Sequence, residues 1–251
     1  MSPGYLSLHA FDPFAFDLRC EWGPHGLAQL APVSDVVIIV DVCSFSTSVE
    51  IATRRGAVVF PYHWRNDSAA EFAARVGAEL ASAPSGVSKY SLSPRSLLDI
   101  PSGTRLVLPS PNGSTLSLST GATPTLAGCL RNSWAVACAA QALGKRIAVI
   151  PAGEQWSDGS LRPALEDWLG AGAILRHLAG RASPEAQAAI AAFEEALPDL
   201  AHRLKACASG QELLERGREH DLGLATELDV SECAPILRDG AYINHWVAGK
   251  M

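Results

Sequence analysis

The sequence predicts an α/β fold: three layers, α/β/α, around a mainly parallel or mixed sheet, with a helical segment and a short hairpin near the C-terminus. Three observations predict it. Four short runs, VVIIVDV (36–42), AVVFP (57–61), RLVLP (105–109) and RIAVIPA (146–152), are continuously apolar rather than alternating, as strands buried on both faces of a parallel sheet are. Segments with helical spacing lie between them, the pattern of layered α/β proteins. The chain closes with APILRDGAYIN, two short strands around Asp239-Gly240, a strong hairpin turn.

Taken in order, the first helix follows the first strand over 46–55. NDSAAEFAARVGAELA (66–81) opens on a capping signal, Asn66, Asp67 and Ser68, with Glu71 three residues after Ser68. RNSWAVACAAQALG (131–144) ends on Gly144, a C-cap residue. RPALEDWLGAGAILRHLAG (162–180) puts Pro163 at the first helical position and Leu165, Trp168, Leu169, Gly172 and Leu175 on one face. Residues 184–219 read as almost wholly helical, two helices divided at Pro198 or Gly210. ASAPSGVSKYSLSPRS (81–96) is the one Ser/Pro-rich, loop-like stretch, either a lid or site wall or a plain surface connection. There is no internal repeat.

With 251 residues, 48% of them hydrophobic, the chain can bury a sizeable core. That core belongs to a single domain over 1–251, or to two lobes (about 1–125 and 126–251) with the site between them. Charged residues make up 18% and the net charge is −6. No Lys/Arg run stands out, which argues against nucleic acid or an anionic membrane as partner. No apolar stretch reaches the roughly 18 residues that span a bilayer, and the N-terminus lacks the basic and apolar regions of a signal peptide. Six scattered cysteines without a CxxC read as reduced, in a cytoplasmic protein. A homodimer is the default assembly.

In open α/β sheets ligands bind beyond the carboxyl ends of the strands, and three of these ends are polar. The first carries Asp41, then Ser44, Ser46, Thr47 and Ser48. The third runs into Asn112-Gly113-Ser114-Thr115, which can open a helix. The fourth runs into PAGEQWSDGSLRPALED (151–167), with Glu154, Asp158, Arg162, Glu166 and Asp167. Glycine beside hydroxyl residues at a helix start lets backbone N–H groups approach an anion. Carboxylates from separate strand ends suit a hard cation such as Mg²⁺. Each feature has a plainer role as well. Asp41 can accept backbone hydrogen bonds, Asn112-Gly113 is a common turn pair, and Glu166 and Asp167 complement a helix dipole.

Other signatures are missing. There is no GxxxxGK[ST], GxGxxG or GxSxG. Asp41-Val42-Cys43 lacks the second aspartate of an aspartyl-phosphate phosphatase, and no cysteine has an arginine six residues on. Cys43 lies beside a helix start that would favour its thiolate, yet it reads as a packing residue.

Three stretches together resemble the 2-phosphosulfolactate phosphatase family: VVIIVDVCSFSTSVEIATRRGA, LPSPNGSTLS, and VIPAGE with LEDWLGAGAIL. Order and rough spacing agree over about 35–178, and PILRDGAYI resembles the family's closing hairpin. The resemblance implies a three-layer α/β fold, a divalent metal in a cleft, and hydrolysis of a phosphate monoester on a small sulfonated hydroxy acid. Asp41, Asn112, Gly113, Glu166 and Asp167 fall on family motif positions, and Glu154 lies within one. The chain departs from the pattern at Ser44, where the family has arginine, at Pro151, where it has cysteine, and in the 81–96 stretch, which lacks a basic segment. Arg162, Arg95 and Lys89 are the candidate replacements for the missing charge.

The expectation is therefore a Mg²⁺-dependent phosphatase for a small anionic phosphorylated substrate. Asp41, Glu154 and Glu166 are the catalytic candidates, and Asp41, Glu166 and Asp167 the metal ligands. Ser46, Thr47, Asn112, Gly113, Ser114 and Arg162 are the phosphate-binding candidates. The rival expectation is an altered relative that binds a phosphorylated or sulfonated metabolite without turnover.

Overall fold

The computed structural model describes residues 15–63, 67–81 and 88–245. The chain starts with β1 (Leu18–Cys20) and α1 (Gly23–Leu30), then β2 (Val36–Val40), α2 (Phe45–Arg54) and β3 (Val58–Tyr62). Next come α3 (Asp67–Val76), β4 (Glu79–Leu80), β5 (Arg105–Pro109), α4 (Gly113–Ser117), β6 (Thr125–Gly128), α5 (Ser133–Leu143) and β7 (Ile147–Pro151). A small ribbon, β8 (Glu154–Gln155) and β9 (Leu161–Arg162), precedes α6 (Leu165–Leu175). The helical segment is α7 (Pro184–Ala196), α8 (Leu200–Ala206), α9 (Ala208–Glu215) and α10 (Glu219–Ala225), and β10 (Pro235–Arg238) and β11 (Ala241–Asn244) close the chain.

Among the described residues the main sheet has nine strands in the order β1-β7-β2-β6-β10-β11-β3-β5-β4. It is mixed. β1, β7, β2 and β6 form one parallel block, and β3, β5 and β4 another. The C-terminal hairpin is wedged between the blocks, antiparallel to β6 through Ile236–Leu126 and to β3 through Tyr242–Val59. Its turn needs positive φ at both central positions, which Asp239 (51°) and Gly240 (79°) supply.

Every residue of β2 is buried, because helices cover both faces. Val36, Ile38 and Val40 pack with residues of α5, α6 and α7, such as Val136, Leu169 and Phe193. Val37 and Ile39 pack with Leu27 of α1 and Leu116 of α4. In the other block Phe45 and Val49 of α2 meet Val59, Leu108 and Tyr242, while Phe60 and Val107 pack toward Ala73 of α3. The expected three-layer α/β/α arrangement is thus present.

Four strands and the hairpin match the sequence reading; several boundaries do not. The second helix stops at Val76, and Glu79–Leu80 turn into an edge strand, since Gly77 (φ 61°) breaks the spiral. Asn66 of its capping signal lies outside the described residues, as do 1–14 and, in the loop-like stretch, 82–87. Pro163 is not the first helical residue. Arg162 is held in the β8–β9 ribbon, and the helix starts at Leu165. The 184–219 region holds three α-helices and the start of a fourth. Pro198 sits in a 3-10 turn, Cys207 divides α8 from α9, and Gly210 lies inside α9.

Candidate active site

The site grows from the end of β2. Asp41, 5% exposed, accepts the Phe45 N–H on Oδ1 (3.1 Å) and the Gly113 N–H on Oδ2 (2.9 Å). One carboxylate thereby joins the starts of α2 and α4. The approach requires glycine. A Cβ at position 113 would stand 2.7 Å from Asp41 Oδ2 and run into the Phe45 ring. Beyond β7, Glu154 accepts the Asn112 Nδ2–H on Oε2 (2.8 Å). The first turn of α6 places two more buried carboxylates nearby, Glu166 (2% exposed) and Asp167 (3%).

Asp167, expected as a metal ligand, has both oxygens committed. Oδ1 accepts the Val42 N–H (2.7 Å) and Oδ2 the Gly153 N–H (2.8 Å). It clasps the chain just beyond β2 and β7 to α6. Glu166 accepts a longer contact, 3.4 Å, from the Cys207 thiol.

Burial and mutual repulsion shift these groups. Asp41 is pushed up to about 6, chiefly by burial and further by the Glu166 charge, against the lowering pull of its backbone hydrogen bonds. Glu154 is pushed up to about 7 by burial and then by Asp41, with Asn112 and Arg162 offsetting part of it. Burial and the charges of Glu166 and Asp41 raise Asp167 well above the carboxylate range. A neighbouring thiol, Cys43, is raised well above its ordinary value by burial and these carboxylates, which suits packing rather than nucleophilic attack.

The carboxylates border a hollow of about 460 Å³ whose wall includes Asp41, Ser44, His63, Ser110, Asn112 and Glu154. Arg216 and Arg218, from the α9–α10 connection, also line it. Sequence reasoning missed both arginines, and His63. The available signal was Arg216-Gly217-Arg218 at a helix end: Gly217 takes φ 68°, a left-handed turn between the two cations.

The other phosphate-binding candidates lie differently. Ser46 Oγ donates to Ile39 O (3.1 Å) and accepts from Asp41 N (3.1 Å), and the Ser46 N–H bonds Asp41 O (2.8 Å). Thr47 Oγ1 donates to Val42 O (2.8 Å) and Ser114 Oγ to Leu108 O (3.0 Å); all three side chains are fully buried. Arg162 is not on the hollow's wall. It pairs with Glu212 (3.2 Å) and lies over the Trp156 ring.

Among the described residues no three Asp, Glu, His or Cys side chains form a ready metal cage. The donor set still fits a hard cation. It is all carboxylate, it is crowded enough to raise its own proton affinity, and Mg²⁺ needs only one or two carboxylates beside water and phosphate oxygens.

The class of protein is an α/β phosphoric monoester hydrolase. The chain belongs to the 2-phosphosulpholactate phosphatase family, whose model matches residues 25–240. Among curated proteins, none matches it. Among the described residues no helix is long and apolar enough to cross a membrane.

Proposed function

We propose that this chain is a Mg²⁺-dependent phosphatase that hydrolyses a phosphate monoester of a small hydroxy acid, 2-phosphosulpholactate or a close analogue. The observation that carries this reading is the meeting of Asp41, Glu154 and Glu166, from separate elements, at a hollow that also holds two arginines.

Asp41 and Glu166 would hold the cation. Bound there, it would polarise the phosphoryl oxygens and offset the charge that develops in transfer to water. Arg216 and Arg218 neutralise and orient the phosphate from the opposite wall, and so fill the place that Ser44 leaves without an arginine. Asn112 fixes Glu154 through Oε2, leaving Oε1 to take a proton from the attacking water. Water forms the new P–O bond, and the ester P–O bond breaks to release the alcohol. Asp167 touches neither partner. It sets the spacing of the loops that carry Asp41 and Glu154.

Six free cysteines, none in a disulfide among the described residues, support a reducing, cytoplasmic setting. The test is inorganic phosphate release from a panel of hydroxy-acid phosphates by wild type and Asp41→Asn, with folding checked by circular dichroism. The expected loss in the variant is about a hundredfold or more. Full activity in Asp41→Asn removes the mechanism, and tight binding without release favours the non-catalytic alternative.

A further inference from the structure

A second hollow, of about 590 Å³, adjoins the first and shares Arg216 and Arg218 with it. Its other side is the 88–96 stretch, which adds Lys89 and Arg95. Four of the chain's 20 Lys and Arg residues therefore face one cavity, in a protein whose net charge is −6.

The cavity's only carboxylate is turned inward. Asp221 Oδ1 accepts the Ser93 Oγ–H (2.6 Å) and the Arg95 N–H (3.0 Å), which fastens the 88–96 stretch to α10. The side chains of Lys89, Arg95 and Arg218 form no ion pair among the described residues, and Arg216 has only a loose one with Glu212 (3.8 Å). Lys89 lies over the Tyr90 ring, 5.4 Å from its centre. Like charges gathered without counter-ions repel one another unless an anion joins them.

We propose that this cavity is a second oxyanion site, and that the chain's substrate is an extended two-headed anion. One phosphate sits in the acidic hollow, and a second phosphate, sulfonate or carboxylate several bonds away is held by Lys89 and Arg95. Arg216 and Arg218, on the shared wall, contact the segment between. A compact acid fits the acidic hollow alone and leaves the basic cavity without an anion. This rests on the reading that the acidic hollow takes the phosphate.

The test uses the full chain, calorimetry, and non-hydrolysable probes: alkyl phosphonates against alkane bisphosphonates and sulfonoalkyl phosphonates of graded chain length. Wild type is expected to bind a two-headed probe about tenfold or more tighter than the one-headed probe of equal length. The double substitution Lys89→Ala with Arg95→Ala removes that preference and leaves one-headed binding unchanged, because neither residue lines the acidic hollow. Equal affinity for both probe types in wild type, or a preference that survives the double substitution, overturns the proposal. Two-headed preference without turnover of the matching phosphate esters keeps this inference and defeats the phosphatase reading instead.

Discussion

At the scale of single residues, Asp41 and Gly113 act as one unit. The carboxylate accepts two backbone N–H groups, and the second reaches it only because position 113 has no Cβ. Gly113→Ala is expected to displace Asp41 or the Phe45 ring, at a cost of about 1–3 kcal/mol in stability and a larger loss in phosphate release. An unchanged urea midpoint together with unchanged turnover would show that the close approach does not matter. Glu166 gives a readout independent of turnover. Mg²⁺ should raise the unfolding temperature of wild type, by the equivalent of about 2.7 kcal/mol at about a hundredfold excess over Kd, and raise Glu166→Gln much less. Equal shifts would place the cation elsewhere.

Between elements, buried charge does the fastening. Glu50 of α2, fully buried, pairs with Arg131 Nε (2.6 Å) and accepts the Ser231 hydroxyl (2.6 Å), while Arg131 also pairs with Glu227. The helix that starts at the site is thus tied to the chain on either side of β6 and the hairpin. Glu50→Ala strands Arg131 in a buried position, and a loss of about 3–5 kcal/mol is expected in chemical denaturation; a loss under about 1 kcal/mol would contradict this. Asp35 does a similar job nearer the surface. It accepts from the Lys145 and Arg146 N–H groups and from Arg146 Nε, aligning the starts of β2 and β7. The Arg146 hydrogen bonds lower Asp35 to about 2. A depressed carboxylate stabilises fully above its unfolded value of 3.8 and loses that contribution as pH falls toward 2. The stability gap between wild type and Asp35→Asn should therefore be open at pH about 6 and close below about 3. A gap that does not change with pH would refute this.

Across the whole molecule, legibility follows burial. β2, β3, β5 and β7 lie under helices on both faces, so their sequences are unbroken apolar runs and announce themselves. β6 is TLAG, four residues ending in Gly128, whose missing side chain leaves room for Ile174 and Ile38; so short and small a strand carries no pattern. β1 has three residues and β4 two. Asp41, Asn112, Glu154, Glu166 and Asp167 were legible because they follow strands or open a helix after one. Arg216 and Arg218 were not, because they reach the hollow only through the packing of α9 and α10 against the 88–96 stretch. Ser46 and Thr47 suggested anion contacts by type and position, while their hydroxyls serve the backbone of the β2–α2 turn.

The central claim is that this carboxylate hollow is the centre of a metal-assisted phosphatase. Its most direct test is the rate of inorganic phosphate release from 2-phosphosulpholactate by the wild-type chain, measured with saturating Mg²⁺, after EDTA, and after Mg²⁺ is restored. The account predicts turnover that EDTA abolishes and Mg²⁺ returns. Release at the same rate in EDTA, or no release under any of the three conditions, would contradict it.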